Sequence, residues 1–308
     1  MNKLIKQAFT LIELLVVIAI IGILSGLIVV AMGGVTTKAT IAKSQIFSNS
    51  LKNSLMMNLV SEWKFDESMG ITAYDSWGNS NGTLSGSTTP QITTSGCVYG
   101  NCLFFNRTTS YVSIANVDNL KFSTGTLSLW FKWTTGDYAT LISFTDKDSS
   151  RNMNIAIGDW TGTYSDESIE FFYLNSSWIL QTFYRNGQLF YKDNNWHNIV
   201  FTVGDNYNIL YVDGQKLTNL SYLSGSTSTG GYFTNDSLFD SFELGSRILT
   251  SVRQDYFGGY LDDVRIYNAV IPTSQVKEQY YAGLNSLLAK GNITSGEYMR
   301  RIDSLAGF

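Results

Sequence analysis

Two spacings of apolar residues divide this chain of 308 residues into three parts. Residues 14–32 are almost unbroken apolar sequence, and apolar residues then recur at near four-residue spacing up to about residue 58. From residue 59 onward apolar and polar positions alternate, and a helical spacing returns near residue 273. A spacing of three to four is typical of helices and alternation of half-buried strands. The pattern therefore predicts a long helix over residues 9–58, a β domain over 59–272 and a helical tail over 273–308.

The alternating part predicts short strands and tight turns. Leu127, Leu129 and Phe131 share one face of the segment 126–133, and the segment 197–203 repeats this alternation. Asp213-Gly214 separates two apolar runs and suits a two-residue turn between antiparallel strands. Further strands are predicted at residues 59–65, 103–106, 110–114, 138–144, 152–157, 168–174, 178–184, 241–246 and 256–267. About a dozen short strands with turn residues between them predict an antiparallel sandwich.

The C-terminal residues predict two helices. One apolar face runs along the first helical stretch, and Gly291 ends it before a second stretch begins. The apolar positions of that face are Val276, Tyr280, Leu284, Leu287 and Leu288. The tail is therefore predicted to be a helical hairpin, which packs either on the β domain or on a neighbouring subunit.

The apolar run near the N-terminus is long enough to cross a membrane. Residues 14–32 would span about 28 Å as a helix, close to the hydrocarbon thickness of a bilayer. Lys3 and Lys6 precede the run, so the positive-inside rule keeps the N-terminus cytoplasmic and sends the remaining chain outward. The alternative is a cleaved secretory signal. Glu13 argues against that alternative, because an ordinary signal core gains nothing from a carboxylate.

Charge is distributed unevenly along the chain. Before residue 61 the sole acid is Glu13, against five lysines, whereas the remaining sequence holds 24 acidic and 16 basic residues. Phosphate binding needs a basic face. The acidic outer domain therefore excludes a nucleic-acid partner.

The N-terminal stretch resembles the type IV pilin and pseudopilin family. A short basic leader, MNKLIKQA, precedes the apolar sequence FTLIELLVVIAIIGIL. The resemblance implies that residues 1–8 are a leader, that a prepilin peptidase cuts between Ala8 and Phe9, and that the new amine of Phe9 is methylated. Glu13 would then be the fifth mature residue. Ala8 departs from the family, which usually has glycine at this position.

The same resemblance gives Glu13 a role in assembly. In that family the glutamate neutralises the N-terminal amine of a neighbouring subunit, and such a counter-charge makes a carboxylate tolerable in a low-dielectric environment. The implied partners are other pilin subunits, the prepilin peptidase and the membrane. The implied location is a single-pass membrane protein, with its C-terminal domain outside the cytoplasm, that assembles into a cell-surface filament.

The alternating region resembles the laminin-G-like, concanavalin-type jelly roll. The resembling stretches, which keep the family's order and spacing, are residues 61–84, 111–114, 194–203, 210–217 and 257–276. Members mostly bind glycans or proteins, and some relatives are glycosidases or lyases. The expected fold is therefore mainly β: an antiparallel jelly-roll sandwich on a long membrane-spanning helix, with a C-terminal helical hairpin.

Catalysis is not expected from the residues of the β domain. His197, the sole histidine, adjoins an alternating strand, where a structural role is the commoner one. A retaining glycosidase needs two carboxylates about 5 Å apart. Glu167 and Glu170 have opposite parity on a strand and so point to opposite faces. No nucleophile–base set or zinc cluster is found in the sequence.

The sequence GGYLDDVRIY carries two consecutive aspartates. Asp262 shares its parity with Val264, which should face the core, whereas Asp263 shares that of Arg265 and is expected to form an outward pair with it. An inward carboxylate at the start of a strand needs compensation. Calcium, which takes six to eight oxygen ligands, is one candidate for that role.

The jelly-roll resemblance implies which residues would join Asp262 in a calcium site. In several relatives the matching aspartate meets acids that follow the first strand, here Asp66 or Glu67, and turn carbonyls near Gly82. Asp75 is a weaker candidate. The alternative is that Asp262 simply caps the backbone amides of a turn.

Cys97 and Cys102 are the only cysteines of the chain. An even number of cysteines on the outward side of a membrane favours a disulfide. Two free thiols would require a reducing compartment, which the inferred topology excludes. The bridge is therefore expected to be a structural staple.

Three functions fit this sequence. The first is a pilin-like structural or adhesive subunit that displays a glycan- or protein-binding jelly roll on a filament. The second is a membrane-anchored carbohydrate-binding protein that does not polymerise. The third is a secretion-system pseudopilin, although a domain of some 210 residues is bulky for that role. Glu13 favours the first and third, because a plain anchor does not need it.

Overall fold

The computed structural model describes residues 11–26, 57–158, 169–174, 179–184, 192–218, 220–231 and 233–306. The chain divides into two units, Met1–Ser54 and Leu55–Phe308. In the first unit, residues 11–26 form helix α1, whose residues are all exposed. Residues 27–56, over which the sequence predicts that this helix continues, lie outside the described residues. Residues 57–58 form a turn, and the end of the helix at about residue 58 stays a prediction.

Helix α1 is short. Among the described helices, none combines the length and apolar character needed to cross a membrane.

The second unit contains nineteen described strands and two described α-helices. The strands are β1 Leu59–Trp63, β2 Thr72–Ala73, β3 Gly82–Ser85, β4 Gln91–Thr93, β5 Cys102–Asn106, β6 Tyr111–Ile114, β7 Gly125–Trp133, β8 Tyr138–Thr145, β9 Asn152–Gly158, β10 Ile169–Leu174, β11 Ile179–Tyr184, β12 His197–Gly204, β13 Tyr207–Val212, β14 Gln215–Lys216, β15 Leu220–Ser224, β16 Ser241–Leu244, β17 Arg247–Leu249, β18 Val252–Gln254 and β19 Gly258–Tyr267. The helices are α2 Thr273–Ala289 and α3 Ser295–Ala306.

Within the described residues the strands form two large sheets and one small hairpin. The eight-stranded sheet has the order β14-β13-β12-β7-β19-β5-β4, with β1 also paired to β19. The nine-stranded sheet has the order β15-β11-β10-β9-β8-β16-β6-β3-β2, and β17 pairs with β18 alone. The pairs are antiparallel. Alternating apolar and polar positions favour this arrangement, because each sheet packs one face on a core.

The core lies between the inner faces of the two sheets. Phe171 of the nine-stranded sheet stacks on Phe201 of the eight-stranded sheet, with ring centroids 4.0 Å apart. Trp63 and Phe242 also join the sheets, through tilted rings whose centroids lie 5.4 Å apart. Apolar residues of the alternating strands are therefore buried against each other, as their spacing predicts.

The turn predicted at Asp213-Gly214 is present. Both residues have positive φ angles, 51° for Asp213 and 74° for Gly214. Val212 and Gln215 pair directly across the turn. This geometry matches the right-handed twist of the flanking strands, and glycine adopts it without steric cost.

Helices α2 and α3 cover the outer face of the eight-stranded sheet. Tyr280 of α2 stacks on Trp130 of β7, with ring centroids 5.5 Å apart and planes inclined by 13°. Leu284, Leu287 and Leu305 of the two helices belong to the same buried cluster. The helical tail thus packs within its own subunit, which decides the question that the sequence left open.

The predicted fold class is confirmed. The chain is mainly β, with two antiparallel sheets packed as a jelly-roll-like sandwich, an N-terminal helix and a C-terminal helical hairpin. The sequence also predicts domain limits at residues 8, 58 and 272, and these three limits stay predictions.

Candidate functional site

A set of polar side chains lies on the outer face of the nine-stranded sheet, opposite the core. Directly paired residues of neighbouring antiparallel strands share a face. Glu243 pairs with Ser143 and Ser143 with Asn154, so the three side chains form one row across β16, β8 and β9. We call the buried polar residues of this surface the polar face: Thr140, Ser143, Thr145, Asn152, Asn154, Glu170, Ser241 and Glu243.

Most of the polar face is not satisfied by protein groups. Asn154 is 0% exposed, yet neither its Nδ2 nor its Oδ1 has a hydrogen-bond partner within the protein. The atoms that share this property on the polar face are Asn152 Oδ1, Thr140 Oγ1, Thr145 Oγ1 and Ser241 Oγ. A buried polar atom without a partner costs about 1 to 3 kcal/mol. Protein groups of the described residues do not offset this cost at these atoms.

The β17–β18 hairpin brings two guanidinium groups beside this surface. Arg253 donates from Nη2 to Glu243 Oε1 at 2.6 Å and lies 3.7 Å over the ring of Tyr111. Arg247 is ion-paired with Asp255. Both cations are thus neutralised by carboxylates of the protein.

Carboxylates also border the polar face, but they are far apart. Glu170 pairs with Ala156 across β10 and β9. Its carboxylate accepts a hydrogen bond from the hydroxyl of Tyr138. Burial and this neighbouring charge raise the pKa of Tyr138. Glu243 lies three strands away, because β9 and β8 separate β10 from β16. At about 4.8 Å per strand the two backbones are about 14 Å apart. Glycosidases place their two carboxyl groups about 5 to 9.5 Å apart.

The residues predicted to bind calcium lie near the disulfide loop. Asp262 is 0% exposed, and its Oδ2 accepts the backbone N–H of Tyr99 at 2.9 Å. Its Oδ1 has no partner in the protein. Burial, and then the charge of Asp263, raise the pKa of Asp262 well above its usual range. A cation beside Oδ1 would satisfy this oxygen, so Asp262 fits a metal ligand.

The other predicted ligands are engaged by backbone amides. Asp66 Oδ1 accepts the N–H of Asn101 at 2.8 Å, and Glu67 Oε1 accepts that of Tyr74 at 2.7 Å. Asp75 accepts several amide hydrogen bonds of its own turn, such as that of Gly78 at 2.8 Å. In the part of the chain that the structure describes, no three histidine, cysteine or carboxylate residues gather as a metal site. Calcium therefore stays a prediction, centred on Asp262.

A β-bulge changes the expected directions of Asp262 and Asp263. Asp262 pairs with Trp130, and the register then shifts before Arg265 pairs with Ser128. Asp262 therefore lies on the outer face with Trp130, and the prediction that it points into the core with Val264 is wrong. Asp263 does pair with Arg265, at 2.9 Å, as predicted. Arg265 pairs with Ser128 on the outer face, so the ion pair lies there, although Asp263 is only 4% exposed.

The predicted disulfide between Cys97 and Cys102 is present. The backbone carbonyl of Val98 accepts a hydrogen bond from Ser286 of α2. The carbonyl of Cys97 accepts one from Asn292 Nδ2 at 2.9 Å. The bridged loop thus holds the C-terminal tail against the sheet.

His197 is held between two carboxylates. Its Nδ1 lies 2.7 Å from Asp213 Oδ2, and its Nε2 lies 3.1 Å from Asp193 Oδ1. Burial lowers the pKa of His197, but the charge of Asp213 and the hydrogen bonds of both carboxylates outweigh it and raise the pKa to about 9. His197 is therefore part of a buried ion cluster, in keeping with the structural role expected for it.

The pilin-type residues lie in the N-terminal unit. Ala8 and Phe9, where cleavage and methylation are predicted, lie outside the described residues. Glu13 lies in α1 and is exposed among apolar side chains such as Leu11, 82% exposed, and Ile18, 60% exposed. Their functions stay predictions.

The polar face is the feature that the sequence did not single out. Its residues have the parity of ordinary solvent-facing positions on β8, β9 and β16, and alternation alone marks them as such. The clue available in the sequence was the choice of Asn, Thr and Ser at these positions instead of charged residues.

Comparisons with known proteins follow the two parts of the chain. A family model described as the concanavalin A-like lectin/glucanases superfamily matches residues 106–277, more than half of the chain. A second model, described as a prokaryotic N-terminal methylation motif, matches residues 5–29. No curated protein matches this chain.

Solved structures share the fold at low identity. Domain 4 of AbnA, a GH43 extracellular arabinanase from Geobacillus stearothermophilus in complex with arabinotriose, matches with a TM-score of 0.50 and 20% identity, over 72% of this chain and 97% of that domain. The receptor binding domain of botulinum neurotoxin mosaic serotype C/D matches with a TM-score of 0.52 and 13% identity, over 75% and 52%. The binding domain of Paraclostridial Mosquitocidal Protein 1 gives 0.50 and 16%, over 75% and 53%. This chain thus spans about half the length of the two toxin chains.

The two matched segments coincide with the β domain and the apolar N-terminal stretch of the chain. The family model covers most of the alternating region, and the motif covers the apolar N-terminus that includes Glu13. The chain therefore belongs to the concanavalin A-like lectin/glucanase superfamily and carries the N-terminal methylation motif of type IV pilins.

Proposed function

We propose that this protein is a pilin-type subunit that displays a glycan-binding jelly roll on a cell-surface filament. The observation that carries the proposal is the polar face, where amide and hydroxyl groups are buried without protein partners. The methylation motif supports membrane insertion followed by assembly. The proposed adhesive role follows because a glycan-binding domain would be carried on a pilin-type helix that assembles into a filament.

The chemistry of the polar face suits a saccharide. A sugar hydroxyl both donates and accepts, as does the amide of Asn154, which offers one donor and one acceptor group side by side. Phe172 pairs with Asn154 and is half-buried on the same face, where its ring can contact the apolar side of a sugar. A related domain from an arabinanase was solved with arabinotriose, which supports the choice of ligand.

The proposed role is binding and not hydrolysis. Glu170 and Glu243 are separated by two intervening strands, which exceeds the spacing that a pair of glycosidase carboxylates needs. Arg253 and Ser246 also occupy both oxygens of Glu243. Neither carboxylate is therefore placed to act with the other on one glycosidic bond.

A glycan array tests the proposal. The full chain in detergent is applied to immobilised oligosaccharides, beside Asn154→Leu and the control Asn119→Leu, whose asparagine is exposed and is not a residue of the polar face. Loss of two hydrogen bonds should weaken binding about tenfold or more in Asn154→Leu and leave the control unchanged. Absence of glycan binding by the parent chain, or equal binding by both variants, would refute the site. Release of reducing ends from a bound oligosaccharide would refute the non-catalytic role.

A further inference from the structure

The β17–β18 hairpin is hydrogen-bonded at both ends of strand β8. At the base of the hairpin, the carbonyl of Asp255 accepts the backbone N–H of Thr140 at 2.9 Å. At its tip, the N–H of Thr250 donates to the carbonyl of Ser149 at 3.0 Å. Thr140 lies near the start of β8, and Ser149 follows its end. The hairpin therefore runs along β8 and is fastened at each end.

The side of β8 on which the hairpin lies is that of the polar face. Arg253 of β18 donates to Glu243 at 2.6 Å. Ser143, which is 0% exposed, donates from Oγ to the carbonyl of Ser246, the residue before β17, at 2.8 Å. Ile248 pairs directly with Arg253, so these two side chains share the inner face of the hairpin. The β17–β18 hairpin thus covers part of the polar face.

Few apolar contacts hold the hairpin on the sheet. Each of its strands has three residues, and a two-stranded hairpin alone is marginally stable in water. Of the apolar residues in these two strands, Ile248 alone is buried, whereas Val252 on the opposite face is 59% exposed. The surface beneath the hairpin includes buried amide and hydroxyl atoms whose desolvation protein groups do not offset. Lifting of the hairpin would return these atoms to water.

The turn at the tip of the hairpin is strained. Its two residues, Thr250 and Ser251, have φ angles of 49° and 64°. This left-handed region is unfavourable for residues other than glycine and asparagine, and most of all for a β-branched residue such as threonine. Two-residue turns with positive φ therefore usually carry Asn-Gly. The closed hairpin holds strain at the position where it is fastened to the turn after β8.

From these contacts we infer that the β17–β18 hairpin is a strap, which lifts from the nine-stranded sheet while the remaining β domain stays folded and so opens the polar face. Hydrogen bonds at both ends and the ion pair of Arg253 close the strap, whereas the polar layer beneath it and the strained turn favour its release. Segments with few buried apolar contacts open at a lower free energy than the core. The opening follows from these contacts alone, and admission of a glycan through it rests on the proposed function.

A thiol placed under the hairpin measures the opening. Ser143→Cys replaces one buried oxygen by sulfur at a position that contacts the base of the hairpin. Cys97 and Cys102 are bridged to each other, so the new thiol is the one that reacts. Val112→Cys, in the core between the two sheets, is the matched control. In the full chain in detergent, a maleimide should label Ser143→Cys at least about 100-fold faster than Val112→Cys, because the core thiol reacts only after global unfolding.

Substitutions in the hairpin show whether it is the element that moves. In the Ser143→Cys background, Ile248→Ala should raise the labelling rate at least about tenfold, because it removes the buried anchor of the hairpin. Val252→Ala, on the exposed face of the same hairpin, should change the rate less than about twofold. Thr250→Asn combined with Ser251→Gly should slow labelling about fivefold, because the turn then keeps its geometry without strain.

Two results would overturn the inference: equal labelling of Ser143→Cys and Val112→Cys, or equal effects of Ile248→Ala and Val252→Ala. If a cysteine variant does not fold, hydrogen exchange of the parent chain decides. The protection factor of the Thr250 amide should then be at least about 100-fold lower than those of β12, which is paired on both sides, and equal protection would refute the strap. A parent chain whose hairpin opens but which binds no glycan on the array would refute the proposed function and leave the opening established.

Discussion

His197 shows how one side chain can make stability depend on pH. Its ring lies between Asp193 and Asp213, and its pKa is raised to about 9 from an ordinary 6.5. A raised pKa means that the protonated ring favours the folded state. This contribution is fully present below pH 6.5 and is lost as the pH rises toward 9.

The substitution His197→Gln tests this cluster. At pH 6 the variant should be less stable than the parent by roughly 3 kcal/mol, the value of a shift of this size. The difference should shrink as the pH rises from 6.5 to about 9, and chemical denaturation across this range measures it. Since His197 is the sole histidine, no other imidazole contributes. A difference that stays constant with pH would mean that the folded state does not hold the ring protonated.

Asp262 carries the second prediction at this scale. The calcium predicted for this residue should raise the melting temperature of the full chain, because any ligand that binds only the folded state stabilises it. Asp262→Asn keeps an acceptor for the N–H of Tyr99 and removes the charge. This variant should no longer respond to millimolar calcium. If parent and variant respond equally, or neither responds, the oxygen that lacks a partner is satisfied in another way.

Directions of individual side chains are what the sequence predicted least well. Alternation placed Asp262 with Val264, but the bulge after Asp262 reversed its face. Such a bulge depends on the register of three strands, which no local pattern records. The same limit applies to Asn154, because its parity indicates an outward position and not that this position is shielded from water.

Among the secondary elements, the strands and helices were predicted far better than their contacts. Alternation and the Asp213-Gly214 turn identified most of the long strands to within one or two residues. The apolar stripe of α2 likewise predicted a buried face, including Val276 and Tyr280. An apolar stripe does not indicate which element packs on it, so the packing of α2 on Trp130 is known only from the structure.

Gly283 is the position at which α2 lies closest to the sheet. A Cβ atom there would lie 2.0 Å from Cζ2 of Trp130, a buried ring that cannot move aside. Gly283→Ala should therefore lower the free energy of unfolding by about 1 to 3 kcal/mol. This loss should occur even though alanine favours a helix over glycine by about 1 kcal/mol.

Gly296 of α3 provides the matched control. A Cβ atom there would meet nothing closer than Thr294 Oγ1 at 3.9 Å. Gly296→Ala should therefore leave stability unchanged or raise it slightly. Thermal unfolding compares the two variants, and limited proteolysis should show the tail of Gly283→Ala cleaved faster. Equal melting temperatures for both variants would contradict the packing of α2 on Trp130.

On the scale of the whole molecule, Glu13 decides between a polymer and a simple anchor. If Glu13 meets the amine of a neighbouring subunit, Glu13→Leu should enter the membrane at least as well as the parent, because the apolar run loses its one charge. Filament assembly should fail or slow, because the incoming amine would lack a counter-charge. The amounts of protein in the sheared-filament and membrane fractions measure both effects.

Processing supplies the control for that experiment. Intact mass should show both proteins shortened by residues 1–8 and methylated at Phe9, so that a loss of filaments is not a loss of cleavage. Equal filament yield from Glu13→Leu would show that the glutamate is not an assembly contact. A mature chain that begins beyond residue 32 would instead indicate a cleaved secretory signal.

The helical hairpin formed by α2 and α3 has a consequence for the strength of the proposed adhesion. Because it covers the outer face of one sheet, the proposed glycan binding would use the other sheet, with one site in each subunit. In the proposed filament, such a site would be repeated along the length of the polymer. Once one subunit of a filament is bound, binding of the next becomes an intramolecular event with a high effective concentration. The overall avidity would then exceed the single-site affinity by about 10²- to 10⁴-fold. Adhesion of this kind would respond steeply to filament length and would be lost when the filament is sheared into single subunits.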